Sequence, residues 1–159
     1  MLFIFINRVL LRALQKPETF ALINEQDIPA LKNQLRYSGS TLRPEDNKRI
    51  VDELQEHMKT KKPYLEPELT LEQLAVRLSL RPKILSQVIN ESLGQNFFDF
   101  VNRYRIEDAK KLLANPPDKK MTVLEVLYEV GFNSKSSFNT LFKKNTGLTP
   151  SEYKRKHQQ

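Results

Sequence analysis

The chain has 159 residues, enough for one core with an appendage but short of two full domains. Its 26 Lys and Arg against 19 Asp and Glu leave a formal net charge of +7, which favours nucleic acid or an acidic membrane surface as partner without choosing between them. With no cysteine, two histidines (His57 and His157) and four scattered glycines, the chain excludes a disulfide framework, a Cys-based metal site and a glycine-rich phosphate cradle, so no enzyme is expected and no catalytic, cofactor-binding or metal residue is assigned.

The first segment, MLFIFINRVLLRAL, is apolar but interrupted by Arg8 and Arg12, which leaves it shorter than the ~20 residues a membrane-spanning helix needs. No small-residue cleavage site follows it, so it does not read as a signal peptide, and an amphipathic helix is the plain alternative. A polar connector runs through RYSGSTLRP to the stretch EDNKRIVDELQEHMKTKK, where Ile50, Leu54 and Met58 recur every four residues along one helical face. That face must pack on something, its own domain or a partner.

From Leu69 onward apolar residues recur at helical spacing and strand-like alternation is missing, which predicts an all-α region of six or seven short helices. Thr70 with Gln73 and Thr122 with Glu125 have the spacing of capping boxes, in which a hydroxyl accepts an orphan amide and the longer side chain reaches back. Gly94, Asn115-Pro116-Pro117 and Gly147 ahead of Pro150 mark helix ends.

Within this region the chain repeats itself. Leu71, Leu74 and Leu78 match Val123, Val126 and Val130 at an offset of 52, and Leu85, Val88, Ile89, Gly94 and Phe100 match Phe138, Leu141, Phe142, Gly147 and Tyr153 at an offset of 53. Each copy is a capped helix, a tight turn and a second helix with apolar residues at i, i+3 and i+4, the pattern of a helix-turn-helix. Two amphipathic hairpins could also duplicate merely to build a core, as in helical repeat proteins. The side chains left over on the second helices argue otherwise: Lys83, Ser86, Gln87 and Asn90 on one, Lys135, Ser136, Asn139, Thr140 and Lys143 on the other, with no carboxylate among them. A solvated face mixes signs, whereas a face for the major groove needs amides and hydroxyls for base edges and cations for phosphates.

The two copies, the segment NFFDFVNRYRIEDAKKLL between them, and above all YEVGFNSKSSFNTLFKKNTGLTPSEYKR resemble the DNA-binding domain of AraC/XylS-type transcription regulators over about residues 69 to 156. The pattern Gly131-Phe132, Phe138, Phe142, Gly147, Pro150 and Tyr153 carries most of that resemblance. It implies an all-α fold of two helix-turn-helix subdomains, about 70–94 and 122–147, joined by a linker helix of about 97–113 within a domain of 64–159, with residues 1–63 as a helical appendage. It implies a bacterial regulator that reads two successive major-groove segments of double-stranded DNA through Lys83, Ile84, Ser86, Gln87, Asn90, Lys135, Ser136, Ser137, Asn139, Thr140 and Lys143. Gly131 would make the second turn. Two positions depart from the family pattern: Arg81 stands where a serine cap is usual, a loss of about 1 kcal/mol unless Pro82 at the first helical position compensates, and Leu127 stands where a small alanine is usual.

Around these readers, Phe138, Leu141 and Phe142, like Leu85, Val88 and Ile89, read as core, and Val101, Ile106, Ala109, Leu112 and Leu113 form the buried stripe of the linker. Arg103, Arg105, Lys110 and Lys111 touch phosphate or stay solvated, and Lys143, Lys144, Lys154, Arg155 and Lys156 form a basic cluster suited to salt-sensitive attraction to the DNA backbone. His157 reads as a bystander. Upstream the resemblance is weaker: KPETF, LRYSGSTL and HMKTKKPYL are similar to the juxtamembrane portion of AraC-type regulators with a membrane sensor, which would make residues 1–14 the inner end of a last transmembrane helix and the chain a partial product. The implied partners are double-stranded DNA, with RNA polymerase, a second copy and, through residues 1–16, a membrane as further candidates. The implied location is the cytoplasm, at the inner membrane face if that segment is a helix end. A helical protein-interaction module and a basic peripheral membrane protein remain the alternatives.

Overall fold

The computed structural model describes residues 43–158, and the expectations for residues 1–16 lie outside them. Seven α-helices and no strand occur among the described residues: α1 (Pro44–Lys61), α2 (Leu71–Arg77), α3 (Pro82–Leu93), α4 (Phe97–Ala114), α5 (Val123–Glu129), α6 (Lys135–Thr146) and α7 (Pro150–His157), with a 3-10 turn at Pro63–Leu65 between α1 and α2. None of these helices is long and apolar enough to cross a membrane.

Local chemistry sets the helix ends. α1 starts on Pro44 with Glu45 and Asp46 in its first turn and ends with Lys59 and Lys61, each charge opposing the helix dipole at its end. Lys62 then takes a left-handed conformation, φ 48°, and turns the chain. Both expected capping boxes are formed: the Thr70 hydroxyl accepts from Gln73 N at 3.2 Å, and that of Thr122 accepts from Glu125 N at 3.1 Å. A third box, Thr149 with Glu152, starts α7 at the same spacing. Hydrogen bonds from the cap backbone and hydroxyl hold the Glu125 and Glu152 carboxyls below their ordinary value.

Two cores result, and α4 serves both. Its first half brings Phe100 and Val101 to a cluster with Leu74 and Ala75 of α2, Leu78 just after it, and Leu85 and Ile89 of α3. Its second half brings Ile106, Ala109 and Leu113 to Val126 and Leu127 of α5, Val130, Phe132, and Phe138 and Phe142 of α6. The expected linker stripe is therefore present, with Leu112 only partly buried. Ile50, Leu54 and Met58 of α1 are all buried, and Leu54 and Met58 join the first core, so the amphipathic face packs on the chain's own helices. α1 shares that core although the sequence division at residue 63 sets it with the appendage.

The repeat holds at most positions: Leu74 and Val126, Ala75 and Leu127, Leu78 and Val130, Leu85 and Phe138, and Ile89 and Phe142 are buried in both copies, whereas Leu141, expected as core, and Tyr153 are only partly buried where Val88 and Phe100 are fully buried. Leu127, the larger residue at a usually small position, is 1 % exposed and fully accommodated. α7 then folds back on the second copy, where Tyr153 meets Phe142 edge-on at 5.3 Å and Gln158 Nε2 donates to the Leu113 carbonyl at 2.9 Å.

Candidate nucleic-acid interface

The second helix of each copy is the candidate reader. α6 starts on Ser134, whose hydroxyl accepts from Ser137 N at 3.3 Å, and its first turn presents Lys135, Ser136 and Ser137 to solvent. Thr140 and Lys143 are also exposed and Asn139 is half-buried. On the opposite face Phe138 and Phe142 are fully buried, their rings 5.6 Å apart, with Phe132 packed 5.1 Å from Phe138. Burying two phenyl side chains contributes about 1.5–3 kcal/mol each, so the polar face rides on a stiff support. α6 contains no acidic residue along its length.

α3 matches this less closely. Its N-cap, Arg81, makes no side-chain capping bond, and Pro82 at the first helical position supplies the preset φ instead. Lys83 is exposed and Ile84, Ser86 and Asn90 are half-buried, with Asn90 Nδ2 donating to the Ser86 carbonyl at 2.7 Å. Gln87 departs from its expected outward position: it is 6 % exposed, and its Nε2 donates to Glu91 Oε2 at 3.0 Å. Three successive buried residues, Gln87, Val88 and Ile89, sweep about 200° of the helix, so the covered arc of α3 is wider than the i, i+3, i+4 stripe. The carboxylate of Glu91 also ends the acid-free character of this helix at its last turn.

Basic residues outside the readers sort into three kinds. Arg103 is exposed, with its guanidinium 5.6 Å from the Tyr104 ring and 5.9 Å from that of Phe100. Lys110 and Lys111 pair one turn back with Glu107 and Asp108, each at 2.8 Å. Arg105 is buried rather than solvated: it is 8 % exposed, and Nε and Nη2 donate to the carbonyls of Tyr64 (2.7 Å) and Glu66 (2.8 Å). It is buried on α4 along with Val101, Ile106 and Ala109, and burial lowers its pKa against the opposing charge of Glu68. In the C-terminal cluster Lys154 is committed to the Met121 carbonyl, while Lys143, Lys144, Arg155 and Lys156 are exposed. His157 stacks on Tyr153 at 4.1 Å, with Nδ1 2.8 Å from the Tyr153 carbonyl, an end-of-helix packing role.

Residues 62–69 are the structural element that the sequence pattern did not reveal. Tyr64 OH donates to Asp108 Oδ2 at 2.6 Å, Lys62 Nζ reaches the same oxygen at 3.3 Å, and the Tyr64 ring stacks on Tyr104 at 5.4 Å. Burial, then the bond to Asp108 and its charge, push the Tyr64 phenol well above its ordinary value. Burial also pushes Asp108 up, but hydrogen bonds from Lys111 and Tyr64 and the charges of Lys111 and Lys62 outweigh it and hold the carboxyl low. Only the closely spaced Pro63 and Pro67 hint in sequence at a packed segment.

A helix-turn-helix domain model matches residues 74–156, which is 83 of the 159 residues. The C-terminal domain of AraT, a response regulator from Geobacillus stearothermophilus, is 31 % identical with a TM-score of 0.58, over 74 % of this chain and 88 % of that domain. The transcriptional regulatory protein YesN of Bacillus subtilis is 38 % identical over 80 residues, 50 % of this chain and 21 % of YesN. The DNA-binding domain of AdpA, solved in complex with a target DNA, shares the fold at 20 % identity and a TM-score of 0.55, over 70 % of this chain and 92 % of that one. The chain spans between 11 % and 32 % of the length of four curated regulators that it matches. With the model match covering more than half of the chain and the duplicated unit present in the structure, the chain belongs to the helix-turn-helix family of AraC-type transcription regulators and carries their DNA-binding domain.

Proposed function

We propose that the chain reads two successive major-groove segments of one DNA duplex, with α3 in the first and α6 in the second. The observation that carries this reading is the face of α6: capped at its start, free of carboxylates, solvent-exposed at Lys135, Ser136, Ser137, Thr140 and Lys143, and backed by buried phenylalanines. Such a face offers amide and hydroxyl groups to base edges and cations to phosphates. Asn139 joins it from a half-buried position. On α3 the contacts fall to Lys83, Ile84, Ser86 and Asn90, while Gln87 acts by holding the helix rather than by touching a base. α4, 18 residues or about 27 Å long, spaces two readers on a scale comparable to the ~34 Å between successive major-groove faces.

The function that follows is sequence-specific control of transcription in the cytoplasm, with RNA polymerase or a second copy engaged through other surfaces. Binding-site selection from random duplexes with the full chain tests it. Two short conserved segments about one helical turn apart are expected, with affinity that falls steeply as salt rises. Equal affinity for selected and random duplex at about 150 mM salt would overturn the reading.

A further inference from the structure

Residues 62–69 touch α2, α4 and the turn that precedes α6. Glu66 pairs bidentately with Arg77 of α2 at 2.8 and 2.6 Å, which ties the segment to the first helix-turn-helix. Its carbonyls at Tyr64 and Glu66 hold the fork of Arg105 on α4. The turn of the second helix-turn-helix lies directly on it: a Cβ on Gly131 would stand 2.5 Å from the Tyr64 carbonyl oxygen and 2.8 Å from that of Leu65. Two residues further on, Asn133 Nδ2 donates to Glu68 Oε1 at 2.8 Å, and the Arg105 guanidinium lies 5.5 Å from the Phe132 ring centre.

α4 joins the two copies end to end and is packed into both cores. The 62–69 strap adds a second tie on another side, so the joint becomes braced. A planar guanidinium gripping two carbonyls sets direction as well as distance, which an ammonium cannot do.

We propose that the strap, with Arg105 as its positioning residue, sets the spacing between DNA segments that the protein accepts. This rests on the two-segment reading above. With its guanidinium buried on the strap's carbonyls, Arg105 acts on specificity through the angle of α6.

The test uses the full chain, a selected duplex, and duplexes with one or two base pairs added or removed between its two segments. Wild type is expected to lose at least tenfold in affinity for each misspaced duplex. Arg105→Lys, which keeps the charge and loses the fork, should reduce that penalty to about threefold or less, with cooperative melting confirming a folded chain. Should Arg105→Lys fail to fold, the double variant Tyr64→Phe with Asn133→Ala, nearly isosteric at one site and exposed at the other, is expected to reduce the penalty in the same direction. A folded variant that weakens binding to every spacing alike, with the wild-type penalty intact, has only a structural defect and overturns the proposal. So does a wild type that reads both segments but is indifferent to spacing. A wild type that binds no selected segment fails the two-segment reading itself and takes this inference with it.

Discussion

The two helix-turn-helix copies solve one structural problem with different residues. At the turn, Ser79 and Gly131 occupy equivalent positions 52 residues apart, and both are left-handed, at φ 54° and φ 86°. Glycine adopts that region freely, whereas a serine there costs on the order of 1–2 kcal/mol. At the reader's start, Ser134 caps α6 while Arg81 leaves α3 uncapped. Inside, Leu85 and Ile89 stand where the second copy has Phe138 and Phe142. The second copy obeys the local rules more closely, and in each copy a helix from outside the hairpin adds a wall to the core, α1 in the first and α7 in the second. A duplicated fold thus tolerates weak local signals where tertiary packing makes up the difference.

The largest effect should separate the two turns. Gly131→Ala combines a disfavoured φ with a clash against two carbonyls of the strap, and it should lower stability by about 3 kcal/mol or more, visible as a fall in urea midpoint at unchanged slope. A loss below about 1 kcal/mol would mean that the strap yields easily and braces nothing.

The reading faces come next. Lys135→Ala or Asn139→Ala should shift the selected sequence at one segment, with about 1–3 kcal/mol lost for the preferred base, while Gln87→Ala should lower the melting temperature and leave the motif unchanged. If Gln87→Ala alone changed the motif, the buried position of Gln87 would not describe the DNA-bound state.

Between the copies, the depressed pKa of Asp108 makes a pH prediction. A carboxyl held below its unfolded value stabilises the fold above the ordinary carboxylate range, and that contribution is lost as pH falls through the folded value. Asp108→Asn should therefore destabilise the domain at pH 7 by about 1–2 kcal/mol, since hydrogen bonds to a charged group are lost, and the gap to wild type should narrow as pH drops below about 4. Melting curves from pH 7 to pH 3 would show a constant gap if Lys111, Tyr64 and Lys62 did not together hold the Asp108 carboxyl low.

The smallest effects test the caps and the strained serine. Ser134→Ala should cost about 1 kcal/mol and Arg81→Ser should gain up to about 1 kcal/mol, so the same measurement moves in opposite directions in the two copies. Ser79→Gly should stabilise by about 0.5–1 kcal/mol, because the relief of the left-handed serine is partly offset by the entropy glycine loses on folding.

Much of this molecule could be read from residue order alone, because helix periodicity, capping boxes and a duplication are local or repetitive signals. They marked the starts of α2 and α5, identified most of the buried stripe of α4 and left Lys135, Ser136, Asn139, Thr140 and Lys143 off the apolar face of α6, of which all but the half-buried Asn139 are exposed. What sequence could not decide is anything that depends on a third element arriving from elsewhere in the chain. Arg105 looks like its cationic neighbours on α4 until the strap's carbonyls, about 40 residues earlier, supply a buried site for its fork. Gln87 looks like a polar outward residue until the covered arc of α3 proves wider than one stripe. Gly131 signals a turn in either case, but its second role, close approach to the Tyr64 and Leu65 backbone, exists only once the two copies are docked. Periodicity records which side of a helix faces inward on average, whereas the identity of the group it meets there is settled by tertiary packing.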